Sequence, residues 1–371
     1  GDRVYIIGDE GGQVLHPSVV HYGDDGLPLC GWPAREMLMS KPRQTVSSPK
    51  RLLGHQYGDK NAAAIMHATG KQCKEAPDGS IVVDVNHTDY AIIQICAPII
   101  AHVRDIAERA MGQDVTQAVF SVPVSFRESQ RSALERVAQL AGLEVLAMIE
   151  EPVAAAMAYG FGQDRSEIVA VYDFGGGTFD FTVLDISGYS FEILARGGDA
   201  WLGGDDFDLS LANSLANAFW RATEVELRDR AVEWTRLLFA CEAAKRQLTT
   251  SESAKITVDR LIEHPKVINL NQSLSRRQLE DICKEHLDRS LQICSTALSR
   301  AGLEPEDIAQ VVVSGGVSHI PFVRRGLEDF FGRQIGTLVD PDRAICLGAG
   351  LRAAQLTKHP VAGADGILGE R

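Results

Sequence analysis

The sequence predicts an α/β protein, and three observations carry that prediction. Strand-like and helix-like stretches alternate from about residue 97 to 160; VYDFGGGTFD at 171–180 runs an apolar strand onto a carboxylate and three glycines; and an apolar run at 310–314 again meets paired glycines. Alternation in this order layers helices on sheets. The 371 residues suffice for two or three domains with their own cores, and 45% hydrophobic with 23% charged residues is a globular composition.

Taken in order, residues 1–85 set short apolar runs (4–7, 17–22 and 81–85) between glycine and proline turns, which predicts strands. Pro98 fits the first turn of a helix over 98–111 that Gly112 closes. A strand at 118–122 follows, then a capping box of Ser125 and Glu128 opening a helix that stops near Gly142. The strand at 145–149 leads to Glu151-Pro152, a helix start with proline in its first turn, running to Gly160. Three β segments occupy 167–195, turning at the glycine triplet and at Gly188. Helices are expected at 206–221 and 228–248 and, after two weak strands, at 275–301, stopped by Gly302. A buried-type strand at 310–314 and a helix at 321–331 complete the pattern.

Thirty-seven basic against 50 acidic residues leave a net charge of -13, which disfavours nucleic acid and anionic membrane as partners. The seven cysteines include no C-x-x-C pair, so neither a zinc ribbon nor a disulfide framework is indicated, and a reducing cytoplasmic setting is expected. The most apolar stretch, 90–103, is interrupted by Gln94, Pro98 and His102 and is too short to span a bilayer.

The chemistry concentrates at 171–180. Gly175, Gly176 and Gly177 would let backbone N–H groups approach a polyphosphate with no Cβ between. Asp173 and Asp180 flank them, carboxylates that suit phosphate only through a hard cation such as hydrated Mg²⁺. A plain glycine hairpin with each Asp capping a turn is the competing reading. There is no G-x-x-x-x-G-K-[ST] and no G-x-G-x-x-G joining a strand to a helix, so a P-loop and a dinucleotide fold are not supported. Gly203-Gly204 and Gly315-Gly316 repeat the strand-to-glycine theme, as a cleft surrounding a nucleotide from several sides would require.

Nine segments in one order then resemble the nucleotide-binding domain of the seventy-kilodalton heat-shock chaperones, the DnaK family: PSVV at 17–20, SPKRLLG at 48–54, SVPVSFRESQR at 121–131, EEPVAAAMAYG at 150–160, VYDFGGGTFD, GGDAWLGGDDFD at 197–208, CEAAKRQLTT at 241–250, VVVSGGVSHIP at 311–321 and DPDRAICLGAG at 340–350. The wording of PSVVHY and GGDAWLGGDDFD leans toward the HscA branch, associated with iron-sulfur assembly. The resemblance implies an actin-like two-lobed ATPase fold with ribonuclease H-like sheets. It divides the chain into lobe I at 1–163 (subdomain IB about 17–92, the remainder IA), lobe II at 164–341 (IIB about 203–286, the remainder IIA), a helix at 342–358 returning to lobe I, and a tail at 359–371.

The resemblance also implies roles. Lys50 would reach the γ-phosphate and attacking water, and Glu151 would orient or deprotonate that water. Asp173 and Asp180 would hold Mg²⁺ and nearby K⁺, and Thr178 would contact phosphate. Glu242, Lys245 and Thr249, at i, i+3 and i+7 on one helix face, would line ribose and adenine opposite Gly315, Gly316, Ile320 and Asp342. His319 departs from the family, which usually has a base-stacking arginine there; imidazole stacks but lacks the permanent charge. Pro123 and Arg131 would relay nucleotide state. The implied function is ATP binding and slow hydrolysis to ADP that controls peptide binding by a separate domain, with client polypeptides, a J-domain co-chaperone and an exchange factor as partners in protein folding and stress response. The family's opening D-L-G-T-T segment is not found here, so the phosphate cradle is expected to be incomplete and the fold marginal. That leaves a pseudo-ATPase scaffold as an alternative, with a filament-forming actin relative or a sugar kinase further off.

Overall fold

The structure, a computed structural model, describes residues 4–68, 71–160, 166–188, 190–336 and 338–357. It divides into two compact units, one built on Tyr5–Glu151 and the other on Pro152–Leu351.

In the first unit β1 (Val19–Tyr22) lies between β2 (Pro28–Cys30) and β3 (Thr45–Ser47), all antiparallel, with α1 (Trp32–Ser40) between β2 and β3 in sequence. After α2 (Lys60–Ala68) come β4 (Cys73–Glu75), β5 (Ile81–Val85) and β6 (Thr88–Ala91), an antiparallel sheet whose central strand alternates buried and half-buried residues as a one-sided strand should. The long helix α3 (Ile92–Met111) then packs on α4 (Glu128–Leu140), while β7 (Gln117–Val122) pairs in parallel with β8 (Glu144–Glu150). The core gathers Val20, Leu52, Leu53, Ile81, Val83, Ile95 and Val137.

In the second unit α5 (Glu151–Gly160) precedes β9 (Ser166–Phe174), β10 (Phe179–Ser187) and β11 (Ser190–Asp199), an antiparallel meander turning at the glycine triplet and at Gly188. Helices α6 (Gly204–Thr223) and α7 (Ala231–Gln247) follow, then the hairpin β12 (Ser253–Ile262) and β13 (Ile268–Ser275), then α8 (Arg276–Ala301), capped by the Ser275 hydroxyl at one end and Gly302 in the left-handed region at the other. Strand β14 (Gln310–Ser314) joins β9 in parallel, giving the order β11-β10-β9-β14, before α9 (Pro321–Phe331) and α10 (Ala344–Leu356). Tyr172, Phe174, Phe179, Phe181 and Phe207 are fully buried in this core, where Phe174 meets Tyr172, Phe179 and Phe207 edge-on, just where the strands feed the glycine turn. Elements of this kind make up the mixed α/β, actin-like ATPase fold that the sequence predicts.

Four local expectations are corrected. Residues 4–7 form no strand, because they run without a ladder partner into a turn in which the Asp9 carboxylate accepts from the N–H groups of Gly11 and Gln13. α3 begins at Ile92 and carries Pro98 in its interior; the carbonyl that the proline ring deprives of its donor, that of Gln94, accepts the Tyr22 hydroxyl at 3.2 Å instead. α4 starts at Glu128 with Arg127 as its cap, the Gln130 side chain accepting from the Arg127 N–H, whereas Ser125 lies in a preceding turn. Finally α7 stops at Gln247, so Thr249 does not share a helix face with Glu242 and Lys245; its hydroxyl donates to the Arg246 carbonyl.

Candidate functional site

Within the second unit the three glycine turns come together. Gly175 N–H donates to the Thr178 carbonyl at 3.0 Å and closes the turn between β9 and β10. The start of α6 docks on that turn: Gly204 N–H reaches the Gly175 carbonyl at 3.0 Å and Asp205 N–H the Gly176 carbonyl at 2.7 Å. A Cβ on Gly203 would lie 2.5 Å from the Gly176 carbonyl oxygen, and one on Gly315 would lie 2.5 Å from the carbonyl of Phe174. Glycine at 203 and 315 is therefore demanded by close backbone approach, and Gly315 also has φ near 81°. Gly175 and Gly176 differ, since the nearest atom to an added Cβ there is 3.6 and 3.9 Å away and neither has positive φ. The fold tolerates a side chain at these two positions; what a Cβ would fill is the face of the turn, as expected of a cradle for a ligand that must approach backbone.

Asp173 and Asp180 stand directly opposite one another in the β9–β10 ladder, with Thr178 just before β10 begins. Two carboxylates in that register offer on one face of the ladder the oxygen donors that a hard divalent ion takes. Gly198 on β11, opposite Asp180, makes the room: a Cβ there would lie 2.7 Å from Asp180 Oδ1.

Lys245 on α7 turns onto α6, its ammonium donating to Asp208 Oδ2 and to the Gly204 carbonyl, both at 2.7 Å. Both side chains of this ion pair are largely buried. Burial pushes the Asp208 carboxyl up to about 6, the nearby Lys245 charge opposing. Asp208 Oδ1 is buried with no hydrogen-bond partner. Glu242, on the same helix, faces Arg246 at 3.5 Å. The short turn Gly316–His319 then presents His319, whose Nε2 lies 3.2 Å from Asp342 Oδ2 and 3.6 Å from Asp340 Oδ1. The Asp342 hydrogen bond raises the imidazole above its ordinary range, with burial opposing. Ile320 is buried and caps α9, so it belongs to the core.

Within the first unit a second cluster forms. Lys50, in the short turn Pro49–Leu52, donates to Glu151 Oε1 at 2.8 Å and lies 5.6 Å over the Phe126 ring. Gly54, at the end of SPKRLLG, has φ near 71° and would clash at 2.5 Å with Gln130 if it carried a Cβ, so this glycine fits the Lys50 turn against α4. Arg131 reaches Glu150 at 3.0 Å and the Phe126 carbonyl at 3.4 Å, and the Pro123 carbonyl accepts the Phe126 N–H at 3.1 Å. Lys50, Glu151, Pro123 and Arg131 are thus joined through Phe126 and Glu150, which sequence reasoning did not single out. Asp208 and Asp340 were also missed, although D-D-F-D and D-P-D spell carboxylates beside the chosen ones.

A family model described as Hsp70 protein matches residues 1–363.

Proposed function

The chain belongs to the Hsp70 family, and on that premise we propose that it binds Mg-ATP and hydrolyses it slowly as the nucleotide-binding domain of a DnaK-like chaperone. The observation that carries this reading is the convergence of Gly175–Gly177, Gly203-Gly204 and Gly315-Gly316 beside the opposed Asp173 and Asp180.

Magnesium-bound nucleotide would supply the phosphoryl group to be cleaved and a cation that spreads its charge. The open face of the Gly175–Gly176 turn would take phosphate oxygens, with Thr178 beside it. Gly203 and Gly204 would shape that turn, because their N–H groups already serve the Asp206 carboxylate and the Gly175 carbonyl. Asp173 and Asp180 would hold the hydrated cation through its waters. Glu151 is the group to orient or accept a proton from the attacking water, and Lys50 the ammonium to offset charge that develops on the transferred group. Glu242, Lys245, His319 and Asp342 would serve the nucleoside end, Lys245 by fixing α6 to α7 through Asp208. Pro123 and Arg131, tied to Glu150 and Phe126, would pass nucleotide state onward to a peptide-binding domain, a J-domain co-chaperone and an exchange factor.

One observation favours a second reading, a nucleotide-binding scaffold without turnover: Lys50 and Glu151 are spent on each other at 2.8 Å. Calorimetric Mg-ATP titration with single-turnover hydrolysis on the same sample separates the two. Binding with turnover lost in Lys50→Ala supports the ATPase, binding without turnover supports the scaffold, and no binding overturns both. Among the described residues no helix is long and apolar enough to cross a membrane.

A further inference from the structure

His319, Asp340 and Asp342 each offer one ligand atom, and these three atoms lie within 4.8 Å of one another. Two edges of the triangle are 3.2 Å and 3.6 Å, from His319 Nε2 to Asp342 Oδ2 and to Asp340 Oδ1. An imidazole nitrogen and a carboxylate oxygen bound tetrahedrally to one zinc ion stand about 3.4 Å apart, given bond lengths of about 2.0–2.1 Å. Two of the three separations therefore match the edges of a coordination polyhedron, and the third is no longer than 4.8 Å. We propose that His319, Asp340 and Asp342 form a binding site for a transition-series divalent cation of the Zn²⁺ class, completed by water.

Nitrogen with two carboxylate oxygens favours zinc over magnesium, which demands an octahedron of oxygens and gives up water reluctantly. The carboxylates come from a segment anchored on both sides of the site. The Val339 carbonyl accepts the Tyr159 hydroxyl at 3.1 Å, and the Pro341 carbonyl accepts Gly315 N–H at 3.2 Å. Arg343 Nε lies 3.3 Å from Asp340 Oδ2 and the Asp342 N–H donates to Asp340 Oδ1 at 3.0 Å, so the carboxylate is oriented with Oδ1 on the imidazole side, as an outer partner orients a metal ligand. All three side chains are partly exposed, at 36%, 41% and 29%, so an ion can enter and waters can fill the remaining positions. Two carboxylates and one neutral imidazole leave the occupied site uncharged.

This site goes beyond nucleotide binding and shares His319 and Asp342 with that reading, so the test uses chelator-stripped, nucleotide-free protein. Zinc chloride titrated calorimetrically should give one site per chain, unaffected by excess Mg²⁺. His319→Gln, Asp340→Asn and Asp342→Asn should each weaken it at least tenfold, with circular-dichroism melting checking that the variants fold. His319→Arg keeps a cation beside the carboxylates but offers no lone pair, so it should abolish binding. Cobalt(II) substitution should give a spectrum free of thiolate charge transfer. Zinc binding that survives the four substitutions, a thiolate band, or no zinc bound by the wild-type chain would overturn the proposal.

Discussion

Lys50 Nζ donates to Glu151 Oε1 at 2.8 Å, so the two groups proposed to act on the attacking water are partners of each other. Lys50 is about half exposed and Glu151 mostly covered, at 53% and 14%, an asymmetry that lets the lysine swing away while the carboxylate stays. With the ammonium half in water the Coulomb attraction is screened, and the pair contributes on the order of 1 kcal/mol to stability.

Lys50→Ala and Glu151→Ala should therefore each lower single-turnover hydrolysis on the order of 100-fold while leaving Mg-ATP affinity within a few-fold. The double variant should be scarcely worse than either single one, because residues acting as one unit are not additive. Rapid-quench measurement of the four-member cycle checks this. Equal losses in binding and rate would make both residues ground-state ligands.

Asp173→Asn keeps shape and removes one of two opposed charges. In metal-free buffer its melting temperature should stay within a few degrees of the wild type, since the facing pair is worth at most about 1 kcal/mol either way. With magnesium and ADP present the two should separate, the variant losing most of the stabilisation that Mg-ADP gives the wild type. Thermal scans with and without Mg-ADP decide; unchanged Mg-ADP affinity by calorimetry would reduce Asp173 to a turn residue.

Much of this was legible in the sequence because the governing physics is local. Gly302, Ser275 and the run 310–314 announce a helix stop, a helix start and a buried strand through backbone preference alone. The misses have a common cause in tertiary partners. Pro98 reads as a helix start until Tyr22, 76 positions upstream, supplies the donor that its helix lacks. Thr249 fits the heptad-like spacing, and only the observed end of α7 at Gln247 takes it off that face. At the candidate site the glycines and carboxylates were visible as residue types, but which glycine serves packing and which leaves a face open depends on distances to Phe174 and Gly176. Asp208 was silent for the same reason, its importance lying in the burial it shares with Lys245.

That buried pair gives a pH dependence. The Asp208 carboxyl, about 6 in the folded chain, lies above the roughly 3.9 of an exposed aspartate, so its contribution to stability is complete below about pH 3.9 and is lost as pH rises through about 6. Lys245→Met removes the ammonium from Asp208 and should cost about 3 kcal/mol near pH 7.5, where the carboxylate is ionised and left buried. Losing the Lys245 charge would raise Asp208 further, so the deficit should shrink as pH falls toward about 6 and level off below it, where Asp208 is protonated in both proteins. Urea unfolding of both proteins at several pH values checks the slope, and a deficit that does not change with pH would place the role of Lys245 in its bond to the Gly204 carbonyl.

The two kinds of glycine in the cradle can be separated by alanine. Gly203→Ala would drive a methyl group to 2.5 Å from the Gly176 carbonyl oxygen, backbone against backbone, and should cost about 2–3 kcal/mol in unfolding free energy. Gly176→Ala meets nothing closer than 3.9 Å and has no positive φ, so it should leave stability unchanged or raise it by about 0.5 kcal/mol through the unfolded chain. Its methyl would nevertheless stand on the open face of the turn, and Mg-ATP affinity should fall at least tenfold if phosphate oxygens rest there. Melting temperature and calorimetric affinity, measured on both variants, should therefore move in opposite patterns. A Gly176→Ala protein that is as stable as the wild type and binds nucleotide equally well would show that the turn holds no phosphate.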